Sequence, residues 1–127
     1  MSCKVLIIED DPSNLKILEV TLKNMDCDIL TAKNGEEGFR KAVECNPKLI
    51  LLDVMMPKMS GLDFLKKLRE NISFGKIPVF IISAKTGELD EKRALDAGAN
   101  EFISKPFRVK EIQNIVKKYI NGGNNIK

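Results

Sequence analysis

Three short apolar runs, each followed at once by a polar or acidic residue, limit the folds open to this chain. The runs are residues 5–8, 49–52 and 79–82, and the residues that follow them are Glu9, Asp53 and Ser83. Strands that are apolar throughout are typical of parallel sheets that helices cover on both faces. A carboxylate at the end of such a strand is costly to bury unless it is paired or faces a crevice. The runs therefore predict a buried parallel sheet with polar groups gathered at one edge.

Segments with a helical spacing of apolar residues alternate with strand-like segments along the chain. The five predicted strands are residues 4–8, 27–31, 49–52, 79–82 and 101–103. Strands that alternate with helices predict an α/β fold with a doubly wound parallel sheet and five helices. In such a sheet the functional crevice lies beyond the carboxyl ends of the strands, which directs attention to the residues found there.

Capping residues and apolar stripes indicate the five helices. Pro12 suits the first turn of the first helix, and Asn34 with Glu37 three residues later resembles a capping box for the second. The fourth helix is expected over residues 87–97, with Gly98 placed to end it. The positions expected to face the core are Leu15, Leu18, Leu22 and Met25, then Phe39, Ala42 and Val43, then Leu62, Leu65 and Leu68, then Leu89, Ala94, Leu95 and Ala97, and last Ile112, Ile115, Val116 and Tyr119.

The length and charge of the chain indicate one globular domain without a nucleic-acid surface. With 127 residues the chain fits a single domain, which we expect to span residues 1–121 with a flexible tail or truncated linker at 122–127. The 21 basic and 18 acidic residues are interspersed and give a net charge of +3, so no direct nucleic-acid binding is expected. No apolar run is long enough for a membrane span or a signal peptide, which favours a cytoplasmic location.

The cysteine and histidine content limits the kinds of site that the chain can form. Cys3, Cys27 and Cys45 are widely spaced and odd in number, and the chain has no histidine, so a zinc site is not expected. We interpret the three cysteines as reduced structural thiols. Since histidine is the commonest general base, any chemistry must use carboxylates, lysine, hydroxyls or a metal.

Polar side chains follow four of the predicted strands at the edge where those strands end. They are Glu9, Asp10 and Asp11 after the first strand, Asp53 after the third, Ser83 after the fourth and Lys105 after the fifth. Converging carboxylates repel one another unless a cation lies among them, and Mg²⁺ takes oxygen ligands. An aspartate can also act as a nucleophile that accepts a phosphoryl group. We therefore predict an acidic, Mg²⁺-dependent phosphoryl site, with Lys105 and Ser83 contacting the phosphoryl oxygens.

Four motifs, in this order, resemble the receiver domain of bacterial two-component response regulators of the chemotaxis-regulator type. The motifs are Ile8-Glu9-Asp10-Asp11, then Leu52-Asp53-Val54-Met55-Met56-Pro57 with Met59 and Gly61, then Ile82-Ser83-Ala84, and then Ser104-Lys105-Pro106-Phe107. The resemblance covers about residues 3–120. It implies a flavodoxin-like fold with strand order 2-1-3-4-5. It also implies either a single-domain regulator or a receiver excised from a longer protein.

The resemblance implies an acceptor and a set of metal ligands. Asp53 would accept a phosphoryl group from a sensor histidine kinase or a histidine phosphotransferase. Glu9, Asp10, Asp53 and the backbone carbonyl of Met55 would hold Mg²⁺. The sequence departs from the commonest pattern at Glu9, where the family more often has aspartate.

The same resemblance implies a residue that binds the phosphoryl group and two residues that switch the structure. Lys105 would bind the phosphoryl group, and its peptide bond to Pro106 is expected to be cis. Ser83, in place of the commoner threonine, and Phe102 would be the switch residues. Phosphorylation would reshape the surface of helix 4, strand 5 and helix 5 for a downstream effector protein or a missing output domain. The chain would be a monomer or a phosphorylation-linked dimer, with no enzyme activity beyond its own phosphoryl transfer and autodephosphorylation.

Two other functions fit parts of the pattern. A phosphatase of the haloacid-dehalogenase type also uses an aspartyl nucleophile, but it needs a second aspartate two residues later, where this chain has Met55. A flavin-binding protein of the same architecture needs a phosphate-binding loop after the first strand. Here Glu9, Asp10 and Asp11 occupy that position and would repel a phosphate unless a cation lay between them. We interpret Asp11 as a solvated charge at the start of the first helix.

Overall fold

A five-stranded parallel sheet with helices on both faces forms the framework of the computed structural model. The structure describes residues 3–23, 25, 27–53, 61–71, 75–84, 91–105 and 107–125, with the backbone alone described at 61, 62, 83, 84, 105 and 121–125. The elements are β1 Cys3–Ile8, α1 Pro12–Leu22, β2 Cys27–Ala32, α2 Gly35–Cys45, β3 Leu49–Asp53, α3 Gly61–Arg69, β4 Val79–Ala84, α4 Glu91–Asp96, β5 Glu101–Lys105 and α5 Val109–Asn125. The strand order is β2-β1-β3-β4-β5 and every pair is parallel, which confirms the predicted fold.

The three apolar runs are the buried centre of the sheet. Residues 5–8, 49–52 and 79–82 are at most 1% exposed. Their side chains alternate between two hydrophobic cores, because successive residues of a strand point to opposite faces. The first, the α2–α3–α4 core, includes Leu6, Ile8, Ile50, Leu52, Phe64, Leu65, Leu68 and Ala94. The second, the α1–α5 core, includes Val5, Ile7, Leu18, Leu22, Leu51, Phe80, Ile112 and Val116.

The second helix starts where the sequence predicts, with one difference in its capping. The Asn34 side chain accepts a hydrogen bond from the Glu37 amide at 2.9 Å. The Glu37 carboxylate accepts from the Lys33 amide at 2.8 Å, one residue earlier than a capping box requires. That backbone hydrogen bond is the main reason why the pKa of Glu37 lies below its ordinary value. The two hydrogen bonds therefore hold the backbone before and after Asn34 and fix the start of α2.

Two residues predicted to face the core are exposed instead. Val43 in α2 is 40% exposed and Leu95 in α4 is 42% exposed. The buried residues of α2 are Gly35, Gly38 and Ala42, and an added Cβ at Gly38 would overlap with the Ile8 side chain, so the helix lies close against β1 at this residue. Phe64 in α3 is fully buried and was not among the predicted core positions. At these positions, the rotation of the helix about its own axis therefore differs from the rotation that the apolar stripe predicts.

Several element ends differ from the prediction. Met25 lies beyond the end of α1, although it packs against the α1–α5 core. β5 continues to Lys105, two residues beyond its predicted end, and α5 continues to Asn125. Of the predicted fourth helix, residues 91–96 are helical and residues 87–90 lie outside the described part of the chain. Among the described residues, no helix is both long and apolar enough to cross a membrane.

Arg69, the last residue of α3, connects the loops before β4 and β5. Its guanidinium donates to the backbone carbonyls of Gly75, Ile77 and Gly98 and to the Asn100 side chain, at 2.7 to 3.0 Å. Gly98 has a φ of +112°, and a Cβ there would meet the Arg69 side chain at 3.0 Å. Glycine is required at this position both for its backbone conformation and for the close approach of the arginine.

Candidate metal centre

The register of β1 and β3 places two acidic residues side by side at the carboxyl edge of the sheet. Ile8 pairs with Leu52, so the next residues along the two strands are Glu9 and Asp53. The Glu9 amide donates to the Ala32 carbonyl at 2.9 Å, which extends the β1–β2 ladder and fixes the Glu9 backbone. Glu9 and Asp53 are therefore held by the sheet itself rather than by a loop.

Glu9, Asp10 and Asp53 form an acidic cluster. One carboxylate oxygen from each residue lies within 4.8 Å of the others. Glu9 is 1% exposed and Asp53 is 4% exposed, whereas Asp10 is exposed to solvent. The cluster therefore has two buried members and one member at the surface, so that one side of it is accessible.

The donor set of the acidic cluster suits a hard divalent cation. Three carboxylates at this separation repel one another, and a bound cation of charge +2 offsets most of that repulsion. Mg²⁺ prefers oxygen ligands, and it usually binds through one or two carboxylates while keeping several other positions for water or phosphate oxygens. The described residues fit this requirement, since the cluster supplies only oxygen donors and one side of it is open.

Asp11, the next acidic residue, has a different role. Its side chain accepts a hydrogen bond from the Asn14 amide at 3.0 Å and so caps the N-terminus of α1. Its amide donates to the Glu9 carboxylate at 3.3 Å. The side chain of Asp11 thus belongs to the helix start, as the sequence predicts, while its backbone helps to orient Glu9.

The backbones of Ser83 and Lys105 lie at the same edge of the sheet. Asp53 pairs with Ile82 of β4, so Ser83 is one residue further along the neighbouring strand. Ala84 in turn pairs with Lys105, the last residue of β5. The side chains of Ser83 and Lys105 lie outside the described part of the structure, as do Met55 and Pro106 with the predicted cis peptide bond.

Phe102 is the second residue of β5, opposite Ile81 of β4. Its ring is partly buried and packs against the α2–α3–α4 core. The aromatic residue therefore lies between the α2–α3–α4 core and the surface.

Sequence comparison identifies the family. Residues 5–117 match the family described as the response regulator receiver domain. The chain belongs to this family. It is thus a phospho-accepting receiver domain of two-component signalling. The chain is 36% identical to the alkaline phosphatase synthesis transcriptional regulatory protein PhoP of Bacillus subtilis (strain 168). The 117 aligned residues cover 92% of this chain and 48% of that protein. The receiver domain thus spans about half the length of this and other curated relatives.

Two solved receiver domains resemble the structure over almost the whole chain. The receiver domain of sensor histidine kinase PA1611 from Pseudomonas aeruginosa PAO1 has a TM-score of 0.86 and 25% identity, covering 95% of this chain and 99% of that chain. Its structure contains a magnesium ion coordinated in the active site cleft. The second is the receiver domain of Ssk1 from Saccharomyces cerevisiae, which was solved with the histidine phosphotransfer protein Ypd1. It has a TM-score of 0.81 and 25% identity, and the match covers 93% of this chain and 88% of that chain.

Sequence reasoning named all three members of the acidic cluster but not the contacts that hold Glu9. The Ala32 carbonyl and the Asp11 amide are backbone groups, so no residue type marks them in the sequence. For the Ala32 contact, the strand order implied by the resemblance gave a signal, because it places the end of β2 beside the end of β1.

Proposed function

We propose that Asp53 is the residue of this receiver domain that accepts the phosphoryl group. The observation that carries the proposal is the acidic cluster, in which the Asp53 carboxylate lies within 4.8 Å of carboxylate oxygens of Glu9 and Asp10. Asp53 is the cluster member on the central strand β3, and it is held between β1 and β4. In the reaction, a carboxylate oxygen of Asp53 bonds to phosphorus while the bond from phosphorus to the donor histidine nitrogen breaks, and its electron pair stays on the imidazole.

The proposed metal ligands are the side chains of Glu9, Asp10 and Asp53 and the backbone carbonyl of Met55. When bound, Mg²⁺ supplies positive charge that neutralises the carboxylates and the transferring phosphoryl oxygens. The metal in the cleft of the PA1611 receiver domain supports this assignment. Glu9 is positioned by the Ala32 carbonyl and the Asp11 amide, so its carboxylate is oriented before any cation arrives.

Lys105 and Ser83 are proposed to contact the phosphoryl group after transfer. Both residues belong to strands whose register brings them to the edge where Asp53 lies. Lys105 would supply a cation to the phosphoryl oxygens, and Ser83 a hydroxyl donor. Together they would neutralise charge that the acidic cluster by itself would repel.

Phosphorylation is proposed to shift the surface of α4, β5 and α5 through Ser83 and Phe102. Phe102 is only partly buried, so a change in its packing alters both the core and the surface. In the described part of α4, Ala94 is the buried residue, so the helix has a small apolar anchor. An element with little buried apolar area is suited to move between two positions of similar free energy.

The proposed partners are a histidine kinase or histidine phosphotransferase as donor and an effector protein or output domain as receiver of the signal. The complex of the Ssk1 receiver domain with Ypd1 supports a donor of the phosphotransfer type. We also propose a cytoplasmic location, a monomeric or phosphorylation-linked dimeric state, and no catalysis beyond phosphorylation and dephosphorylation of the domain itself.

The test is incubation with Mg²⁺ and acetyl phosphate, followed by intact mass measurement. The parent protein is expected to gain one phosphoryl group, and Asp53→Asn none, because a neutral amide oxygen is a far weaker nucleophile than a carboxylate oxygen. Asp28→Asn is the matched control, since Asp28 is an exposed aspartate of β2 outside the acidic cluster. It should be phosphorylated like the parent.

Amide NMR spectra of the same samples report on the proposed switch. Resonances around Ser83 and Phe102 should shift on phosphorylation of the parent and stay unchanged in Asp53→Asn. A folded parent that gains no phosphoryl group, or an Asp53→Asn variant that gains as much as the parent, would contradict the acceptor assignment. Unchanged spectra in the phosphorylated parent would contradict the switch.

A further inference from the structure

Two of the three cysteines, far apart in sequence, lie opposite each other in the sheet. Cys3 is the first residue of β1, Cys27 is the first residue of β2, and the two are register partners. Side chains at paired positions of parallel strands point to the same face, and both cysteines pack against the α1–α5 core. Both residues are partly exposed.

The separation of paired strands allows a disulfide between these positions. Neighbouring strands lie about 4.7–4.9 Å apart, inside the range of about 4.4–6.8 Å that disulfides require between Cα atoms. The preferred Cβ separation is shorter than the strand spacing, so the bridge would be strained. Strained and exposed disulfides are the ones that reduce readily, which is a property of reversible rather than permanent bridges.

A cavity gives small molecules access to Cys27. It has a volume of about 300 Å³ and lies between α1 and β2. Its lining residues are Lys16, Glu19, Val20, Lys23, Cys27 and Ile29. Two ammonium groups and one carboxylate give the lining a net positive charge, which favours an anionic ligand. The volume is within the range of small-molecule sites.

We propose that Cys3 and Cys27 form a dithiol site that an anionic low-molecular-weight disulfide oxidises reversibly. The Cys27 thiolate attacks one sulfur of the small disulfide in the cavity, forming a mixed disulfide and releasing one small thiolate. The Cys3 thiolate then attacks the Cys27 sulfur, forming the Cys3 to Cys27 bridge and releasing the second small thiolate. The protein loses two protons and two electrons, and the small disulfide is reduced to two thiols.

This dithiol site is independent of the proposed phosphoryl acceptor. Cys3 is the first residue of β1 and Glu9 directly follows its last residue, so the two are about 20 Å apart at the usual rise of a strand. The bridge would instead join the first residues of β1 and the edge strand β2, with α1 in the closed loop. Asp53→Asn is therefore expected to oxidise like the parent.

The test is equilibration of the reduced protein with oxidised glutathione, followed by alkylation after unfolding and intact mass measurement. The reduced parent has three thiols and should take three alkyl groups, whereas the oxidised parent should take one, at Cys45. Cys45→Ser is the matched control, since Cys45 lies at the end of α2, and it should take none after oxidation. Cys3→Ser should stop at the mixed disulfide, with one glutathione on Cys27.

A charge variant tests the cavity. Replacing Lys16 and Lys23 together by glutamine should slow the reaction of Cys27 in Cys3→Ser with oxidised glutathione several-fold. The reaction with the neutral hydroxyethyl disulfide should keep its rate, because the lysines attract only the anionic reagent. Equal slowing with both reagents would overturn the role of the cavity. A parent that retains three alkylatable thiols, or that keeps glutathione on Cys27 without forming the bridge, would overturn the dithiol site.

Discussion

Two charged regions of the protein have opposite effects on the stability of the fold. They are the acidic cluster and the Arg69 guanidinium. In the cluster, carboxylate oxygens of Glu9, Asp10 and Asp53 converge within 4.8 Å of one another, so like charges face each other. Arg69 instead makes five hydrogen bonds to neutral acceptors. Burial lowers the pKa of its guanidinium, although an arginine remains charged at physiological pH.

In the acidic cluster, repulsion between like charges raises the free energy of the folded protein. The Arg69 guanidinium instead lowers it, because it donates hydrogen bonds to polar groups of the folded chain. The cluster is favourable only when a cation or a protonated group balances it, which is what a metal-dependent site requires. The Arg69 guanidinium satisfies backbone carbonyls of the two loops that precede β4 and β5. We therefore expect changes in the cluster to alter function at little cost in stability, and changes at Arg69 to alter stability.

The largest expected effect on stability follows replacement of Arg69. Arg69→Met keeps much of the apolar stem but leaves the carbonyls of Gly75, Ile77 and Gly98 without their donor. We expect the free energy of unfolding to fall by about 2–4 kcal/mol, measured by urea denaturation. Arg40→Met is the control, because Arg40 forms an exposed ion pair with Glu44, and it should cost about 0–0.5 kcal/mol. Equal losses in the two variants would mean that the Arg69 contacts contribute little.

The next effect is the dependence of stability on Mg²⁺. At a concentration about 100-fold above its Kd, Mg²⁺ should raise the free energy of unfolding of the parent by about 2–3 kcal/mol. Without Mg²⁺, Asp53→Asn should be more stable than the parent by about 1–2 kcal/mol, because one of the converging charges is removed. The same variant should respond less to Mg²⁺. Thermal unfolding with and without the metal measures both, and an Asp53→Asn variant that is less stable than the parent would contradict the repulsion.

The smallest expected effect lies at a third polar contact, between Tyr119 and Glu101. The Tyr119 hydroxyl donates to the Glu101 carboxylate at 2.9 Å, and the ring packs edge-on against Phe80 at 4.9 Å between centroids. Burial, followed by the Glu101 hydrogen bond and charge, raises the pKa of Tyr119 to about 12 from 10.0. Tyr119→Phe should cost about 1 kcal/mol at neutral pH.

The pH dependence of this contact has a definite sign. Because the folded protein holds the phenol proton more tightly than the unfolded chain does, the contribution of Tyr119 is complete below about pH 10 and is lost as the pH rises toward about 12. The chain has one tyrosine, so phenolate absorbance reports on this residue directly. Glu101→Gln should lower the measured pKa, and a parent that titrates at the ordinary value of 10.0 would contradict the assignment.

Sequence patterns predicted the centre of the fold well because burial on both faces leaves a simple signal. The runs at residues 5–8, 49–52 and 79–82 were predicted to be buried strands and are buried, and Glu9 and Asp53 lie at the carboxyl edge of the sheet as expected. Helix faces were less predictable. Val43 and Leu95 are exposed because close packing at other residues, such as Gly38 against Ile8, sets the rotation of a helix.

The length of β5 illustrates a second limit. Ser104 and Lys105 are polar and were expected to follow the strand, yet they extend it by pairing with Ser83 and Ala84 of β4. A backbone ladder adds hydrogen bonds whatever the side chains are, so the end of a strand depends on its neighbour rather than on its own residues.

The sequence by itself determined the order of the elements, the buried strands and the chemical types of the residues at their ends. Only the tertiary structure decided which of these residues meet. The register of β1 with β3 places Glu9 beside Asp53, and the register of β1 with β2 places Cys3 opposite Cys27. Arg69 likewise reaches Gly98 across 29 residues of sequence. These pairings follow from hydrogen bonds and packing between segments distant in the chain, which no local pattern of residues encodes.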